Sequence, residues 1–176
     1  MLDVIKTSYA YDTWATARVL DALEGLSEEE YNGPECSGNG SIRDTLAHLL
    51  SCQWGWFSWF DGSLTLEEAY GLTLPGEAIA TVAQARARWT AIDRQTHAFV
   101  DALTDAALAG SCAWTGLDGH SDAAPLWKLL LHVANHGTHT RAQIVAGIRR
   151  VGVDPGNIDL LYWELSHMRR RYDATA

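Results

Sequence analysis

The sequence predicts an all-α fold, an antiparallel four-helix bundle with a short additional C-terminal helix and a loop or small hairpin before helix four. Three observations carry that reading. Four long stretches place apolar residues at three-to-four spacing. Breaks rich in Gly and Pro separate them. A chain that is 47% hydrophobic and 20% charged has the balance of a folded protein with a core. At 176 residues, without an internal repeat, it reads as one domain, 1–176.

The first helix is expected over 2–25, where Leu2, Ile5, Tyr9, Ala17 and Leu20 recur on one stripe and Gly25 stops it. Ser27 followed by Glu28, Glu29 and Glu30 marks a short turn of helix, and residues 32–40 form a loop. Ser41, with Asp44 three residues on, starts a helix over 42–60. Its apolar residues point in every direction, which makes it central. Asp61 and Gly62 end it. After Pro75 and Gly76 a third long helix is expected over 77–103, with Val82, Trp89, Ile92, Phe99 and Leu103 on its buried stripe. Gly110, Gly116 and Gly119 punctuate the stretch 104–124, which reads as a loop or hairpin. Pro125 suits the first turn of the fourth helix, running to about Val151. Asn157 introduces a final helix over 158–172.

Charge narrows the function. The chain has 22 acidic against 13 basic residues and a formal net charge of −9. Its one basic run, Arg169–Arg170–Arg171, is short, so phosphate neutralisation has no basic face and nucleic acid is not an expected partner. The longest stretch without formal charge, Thr45 to Phe60, falls short of the about 20 residues a membrane span needs, and no targeting segment is visible. Three separated cysteines, Cys36, Cys52 and Cys112, make neither a disulfide framework nor a zinc ribbon. A soluble, cytoplasmic protein with reduced thiols is expected.

Seven histidines are the informative feature, and three fall within eight residues of the fourth helix: His132, His136 and His139. At about 100° per residue, His132 and His139 lie about 40° and 60° from His136, both on the same side. Side chains at i,i+3 or i,i+4 leave a helix together and can share one metal ion. His48, inside the apolar second helix, is the partner from a facing helix. Spacing alone supports a His-rich metal site and equally a set of hydrogen-bonded core imidazoles. Cys52, one turn after His48, is within reach of such a metal but reads more simply as a small buried hydrophobe. His120 reads as a surface-loop residue, and His97 and His167 as solvated or structural. Trp54, Trp56 and Trp59 read as core or as a dimer interface.

Three segments carry a resemblance to a known family. They are Tyr9 to Leu20 with its Trp14-Ala15 pair and following Arg18, Ser41 to Leu49 with His48, and the box His132-Val-Ala-Asn-His136-Gly-Thr-His139-Thr-Arg141-Ala-Gln143. With these the chain resembles the DinB/YfiT-like superfamily of helical-bundle metalloenzymes over essentially its whole length. The resemblance implies that His48 and His136 bind a divalent metal: zinc, nickel or iron. The family's other fourth-helix ligand maps to position 140, which is Thr140 here. His139 is then the third ligand, His132 the alternative, and loss of the metal the remaining outcome. Arg141 and Gln143 are expected to steady the imidazoles by hydrogen bonds, although Arg141 suits an acid on another helix equally well. By resemblance the function is a metal-dependent S-transferase acting on a bacillithiol- or mycothiol-type thiol and an electrophile in stress or detoxification, and the protein is a homodimer. Metal-assisted hydrolysis is the alternative chemistry, and a non-catalytic ligand- or partner-binding bundle with a degenerate metal site the alternative class. No general acid or base is assigned.

Overall fold

The computed structural model of the chain describes residues 1–34, 38–116 and 118–173, with side chains to residue 167. Cys36 and the side chains of Arg169–Arg171 lie outside the described set. The four long helices are α1 (Leu2–Leu23), α3 (Ile42–Phe60), α5 (Val82–Asp101) and α7 (Leu126–Arg150). Short helices α2 (Glu28–Asn32), α4 (Leu66–Gly71) and α6 (Asp105–Ala109) lie between them, and α8 (Leu160–Asp173) closes the chain. A two-stranded antiparallel hairpin precedes α7, with β1 (Ser111–Thr115) paired to β2 (Ser121–Pro125) in the register Ser111↔Pro125 to Thr115↔Ser121.

Helix starts follow local chemistry. The Ser41 hydroxyl accepts the Asp44 N–H while the Asp44 carboxylate reaches back to the Ser41 N–H. Ser27 with Glu30, Thr65 with Glu68, and Thr81 with Gln84 repeat this box. The last of these corrects an expected boundary. Thr81 starts α5 at Val82, and residues Gly76–Ile79 tighten into a 3-10 turn instead of extending the helix back to 77. Both α4 and α6 were not expected. Pro125 ends β2 and leads into α7 as its N-terminal flank, not inside its first turn.

The core lies in two clusters. One gathers Val19, Leu20 and Leu23 with Ile42, Leu46, Leu50, Ala85, Trp89, Ile144 and Ile148. The other gathers Ile5, Tyr9, Phe57, Val100, Leu130 and Val133. The start of α1 therefore shares one end of the bundle with the start of α7, and the starts of α3 and α5 share the other. Facing pairs are α1–α7, α7–α3, α3–α5 and α5–α1. The bundle runs up, down, down, up, with α1 parallel to its neighbour α7 and α3 parallel to its neighbour α5, in place of the simple alternation expected from four consecutive helices. Parallel neighbours need a connection that travels back along the bundle. A 19-residue helix such as α3 is about 28 Å long, and residues 61–81, containing α4 and the 3-10 turn, make that return. Gly55 permits it: a Cβ there would stand 2.8 Å from the Ala69 carbonyl oxygen. The Leu74 N–H donates to the buried Ser51 hydroxyl at 2.7 Å and fastens the far end.

No tryptophan is exposed. Trp89 and Trp163 are buried, and Trp54 packs against the first core cluster beneath the Arg88 guanidinium, 3.8 Å from its ring centroid. The exposed large apolar residues are instead Met1, Val4 and Tyr70, with Leu160, Leu161, Tyr162 and Leu165 on α8. No helix among the described residues is long and apolar enough to cross a membrane.

Candidate metal centre

The central helices α3 and α7 face one another and bring His48 and His136 together. Their Nε2 atoms lie 3.2 Å apart, with the rings 5.1 Å between centroids and inclined at 68°. Cys52, one turn beyond His48, puts Sγ 3.7 Å from both ring nitrogens of His48. Among the described residues, His48, Cys52 and His136 are the group of potential ligands whose atoms all lie within 4.8 Å of one another. Burial lowers the His48 pKa, and burial together with the neighbouring His48, His132, His139 and Arg141 lowers that of His136 to about 4. Both imidazoles are therefore neutral near pH 7, the form that offers a lone pair to a metal. Burial pushes the Cys52 thiol up to about 11, so that thiol keeps its proton unless a cation displaces it.

The donor set fits a divalent ion. Two nitrogens held at about 2.05 Å from one tetrahedral centre stand about 3.3 Å apart, and a sulfur at about 2.3 Å stands about 3.6 Å from each nitrogen. The observed Nε2–Nε2 separation of 3.2 Å matches the first of these, while Cys52 Sγ stands 3.7 Å from both His48 nitrogens, beside the ring and off its Nε2 lone-pair axis, so that joining the ion takes a side-chain rotation. The same closeness also suits an N–H···N hydrogen bond, in which one imidazole donates and the other accepts.

The remaining residues expected at the site are placed differently. His139 is exposed and hydrogen-bonds through Nε2 with Gln143 Nε2 at 3.0 Å, so the pair sits together outside the His48–His136 group and Gln143 steadies neither of those rings. His139 lies one position from the buried ridge of α7, and that step of about 100° turns it to solvent. His132 is exposed and packs edge-on against Trp56, 5.3 Å between centroids. It is near the pair without entering the group. Thr140 is buried, with Oγ1 3.5 Å from His136 Nε2. Arg141 points away from the imidazoles into the α1–α7 seam. There it ion-pairs with buried Asp12 and donates to Thr16 Oγ1 at 3.2 Å and Thr138 Oγ1 at 3.3 Å. It pairs with an acid of another helix, the second of its two expected roles. Gly137 makes room for this pair, since a Cβ there would stand 2.8 Å from the Asp12 Oδ1.

His97 accepts or donates to Thr13 Oγ1 at 2.8 Å beside Asp93, a local cluster on α1 and α5. His167 packs on Trp163 at 4.4 Å between centroids, and His120 is exposed.

The pair opens into a cleft of about 1030 Å³. One wall is α3 with Ser51, Cys52, Trp56 and Trp59, and the opposite wall is the return segment from Leu66 to Gly76. His132 and His136 of α7 and Gly116 and Asp118 of the hairpin turn complete it. Trp56 and Trp59, expected to be core or interface, stand in the cleft wall. Among the described residues that line it there is no lysine or arginine, and Asp44 and Asp118 contribute carboxylates.

Comparison with known proteins agrees with this architecture. The chain is 26% identical over 157 residues to Protein DinB of Bacillus subtilis (strain 168), covering 86% of this chain and 88% of that protein. YfiT from Bacillus subtilis, described as a probable metal-dependent hydrolase with an unusual four-helix bundle topology, superposes with a TM-score of 0.62 at 20% identity, covering 84% of this chain and 85% of that one. A DinB-like protein from Bacillus cereus ATCC 10987 superposes with a TM-score of 0.56 at 18% identity, over 87% of this chain and 94% of that one. The DinB family model matches residues 1–171, and the chain belongs to the DinB family.

Proposed function

We propose that the protein is a metal-dependent enzyme acting on small molecules in the cleft between α3, α7 and the return segment. The observation that carries this reading is the pair of imidazoles, His48 and His136, 3.2 Å apart at a cleft of about 1030 Å³. His48 and His136 would hold the ion, and a metal bound there lowers the pKa of a coordinated thiol or water so that it is a nucleophile near pH 7. The chain does the rest. Trp56 and Trp59 present aromatic surface to an apolar body. His132, exposed on α7 at the same cleft, offers a hydrogen-bonding imidazole to a bound molecule.

The finer reading is S-transfer from a small thiol to an electrophile. A new S–C bond forms, the leaving group departs with its electron pair, and the thiol proton goes to solvent. A lining that contains carboxylates and no lysine or arginine favours a neutral thiol, of the mycothiol type, over one bearing several carboxylates. Hydrolysis is the second reading, supported by the likeness to YfiT. The metal is zinc, nickel or iron in this proposal, and a homodimer would bury the exposed Leu161 and Leu165 of α8.

Metal analysis of untagged protein, with His48→Ala and His136→Ala beside it, tests the core of the reading. Stoichiometric metal lost in both variants supports it. Failure of the wild type to bind any divalent ion under loading refutes it and leaves the non-catalytic bundle. Conjugation of a chloronitroaromatic to a neutral thiol, against cleavage of an activated ester by the same preparation, separates transfer from hydrolysis. A monomer by light scattering removes the dimer.

A further inference from the structure

We propose that the third protein ligand is the Cys52 thiolate, so that the centre is a His₂Cys site with two arms on α3 and one on α7. The inference rests on the metal-binding role proposed for His48 and His136. Its starting point is that position 140 offers no imidazole. Position 140 faces His136, and Thr140 fills it with a buried neutral hydroxyl 3.5 Å from Nε2. An uncharged hydroxyl is a poor ligand for a borderline-soft ion. His139 is turned to solvent and engaged with Gln143, and His132 leans on Trp56. Bringing His139 into the group requires α7 to rotate against the α1 seam, where buried Arg141 is fixed by Asp12 and Thr16.

Cys52 needs only a side-chain rotation. It follows His48 by four residues on α3, so both side chains leave the helix on one face. Its sulfur is 3.7 Å from His48 Nε2, and the three ligand atoms lie within 4.8 Å of one another. Cys52 also lines the cleft beside His48 and His136. Binding releases the thiol proton to solvent as the metal–sulfur bond forms. A thiolate arm makes the site select zinc over harder ions such as magnesium or manganese.

Cobalt(II) loading of the untagged full-length protein tests this. A thiolate ligand gives a near-ultraviolet sulfur-to-cobalt charge-transfer absorption that nitrogen and oxygen ligands do not. The band is expected in the wild type and in Cys112→Ser and His139→Ala, and it disappears in Cys52→Ser and Cys52→Ala while the helical circular dichroism persists. Zinc affinity should fall by more than about 100-fold in both Cys52 variants, beyond the 10–100-fold typical of residues that only support a ligand. An independent readout needs no variant: zinc slows iodoacetamide labelling of Cys52, mapped by peptide mass, and leaves labelling of Cys112 unchanged. Cobalt binding that depends on His48 and His136 but gives no sulfur band, or a band that survives in Cys52→Ser, overturns the third arm and leaves the imidazole pair standing. Absence of cobalt and zinc binding in the wild type overturns the pair as well.

Discussion

Replacing Arg141 with methionine should destabilise the bundle out of proportion to the few atoms removed. Arg141 is among the largest fully buried side chains of the described residues, and its partner Asp12 is 2% exposed. The substitution removes the charge that faces Asp12 and the hydrogen bonds to Thr16 and Thr138, and it leaves a carboxylate without water or cation. Breaking a buried pair in this way costs about 3–5 kcal/mol. In a chain of this length each kcal/mol moves the midpoint by about 2–4 °C, so Tm should fall by on the order of 10 °C. The double variant Asp12→Leu/Arg141→Met should recover to within about 1–2 kcal/mol of the wild type, because buried ion pairs and apolar pairs of similar volume are close in stability. Asp12 Oδ2 and Arg141 Nε are buried without a hydrogen-bond partner, which brings the two closer still. Urea unfolding followed by circular dichroism over the four-member cycle measures this. A single variant that loses less than about 1 kcal/mol, or a double variant that loses as much as the two singles together, refutes the reasoning.

Other predictions follow from contacts described above. Phe57→Ala should cost about 3–5 kcal/mol by urea unfolding, since Phe57 is fully buried against Tyr9, Phe60 and Phe99. Gly55→Ala should lower stability by about 1 kcal/mol although alanine is the better helix former, because its Cβ meets the Ala69 carbonyl oxygen at 2.8 Å; proteolysis within residues 64–76 should quicken. His139→Ala should leave zinc affinity within about twofold of the wild type, as expected for a surface side chain remote from the bound ion. Four carboxylates titrate below their ordinary values of 4.5 for Glu and 3.8 for Asp: Glu30 and Glu68 through hydrogen bonds from Ser27 and Thr65, and Asp44 and Asp61 where such bonds outweigh burial. A lowered folded-state pKa contributes stability that is present above about pH 4.5 and lost as pH falls below about 4. Asp93, raised by burial, works in the opposite sense. The acid limb of a Tm-against-pH curve should therefore flatten in a Ser41→Ala/Thr65→Ala variant.

The long helices were legible because their signals are local. The Ser41–Asp44 box and the apolar run behind it place α3 to the residue. Thr65-Leu-Glu-Glu68 carried the same signature and announces α4, although a helix of six residues with no buried side chain leaves no periodicity to find. The helix order was not legible, since whether α5 lies parallel or antiparallel to α3 depends on packing between distant segments. At the site, His48 and His136 stood out through their residue type and helix face. Arg141 had two readings until the buried Asp12 from α1 resolved them, 129 residues away in the chain. Cys52 was the side chain that spacing undervalued: an i,i+4 His–Cys pair looks like ordinary core packing until a second helix supplies the opposing imidazole.

The return segment between α3 and α5 divides the work of the molecule. The candidate ligands sit on α3 and α7, whose stability comes from both core clusters. The wall facing them is held by few attachments, chiefly Leu74 at Ser51 and Ile79 in the core, while α4 buries none of its side chains. Substitutions along Leu66 to Thr73 can therefore reshape what the cleft admits without disturbing the side chains that do the chemistry. Amide exchange in α4 should proceed through local opening, well ahead of exchange in α3. A bundle wound in simple alternation would have closed this connection with a short turn at one end, and the imidazole pair would have faced solvent instead of a second wall.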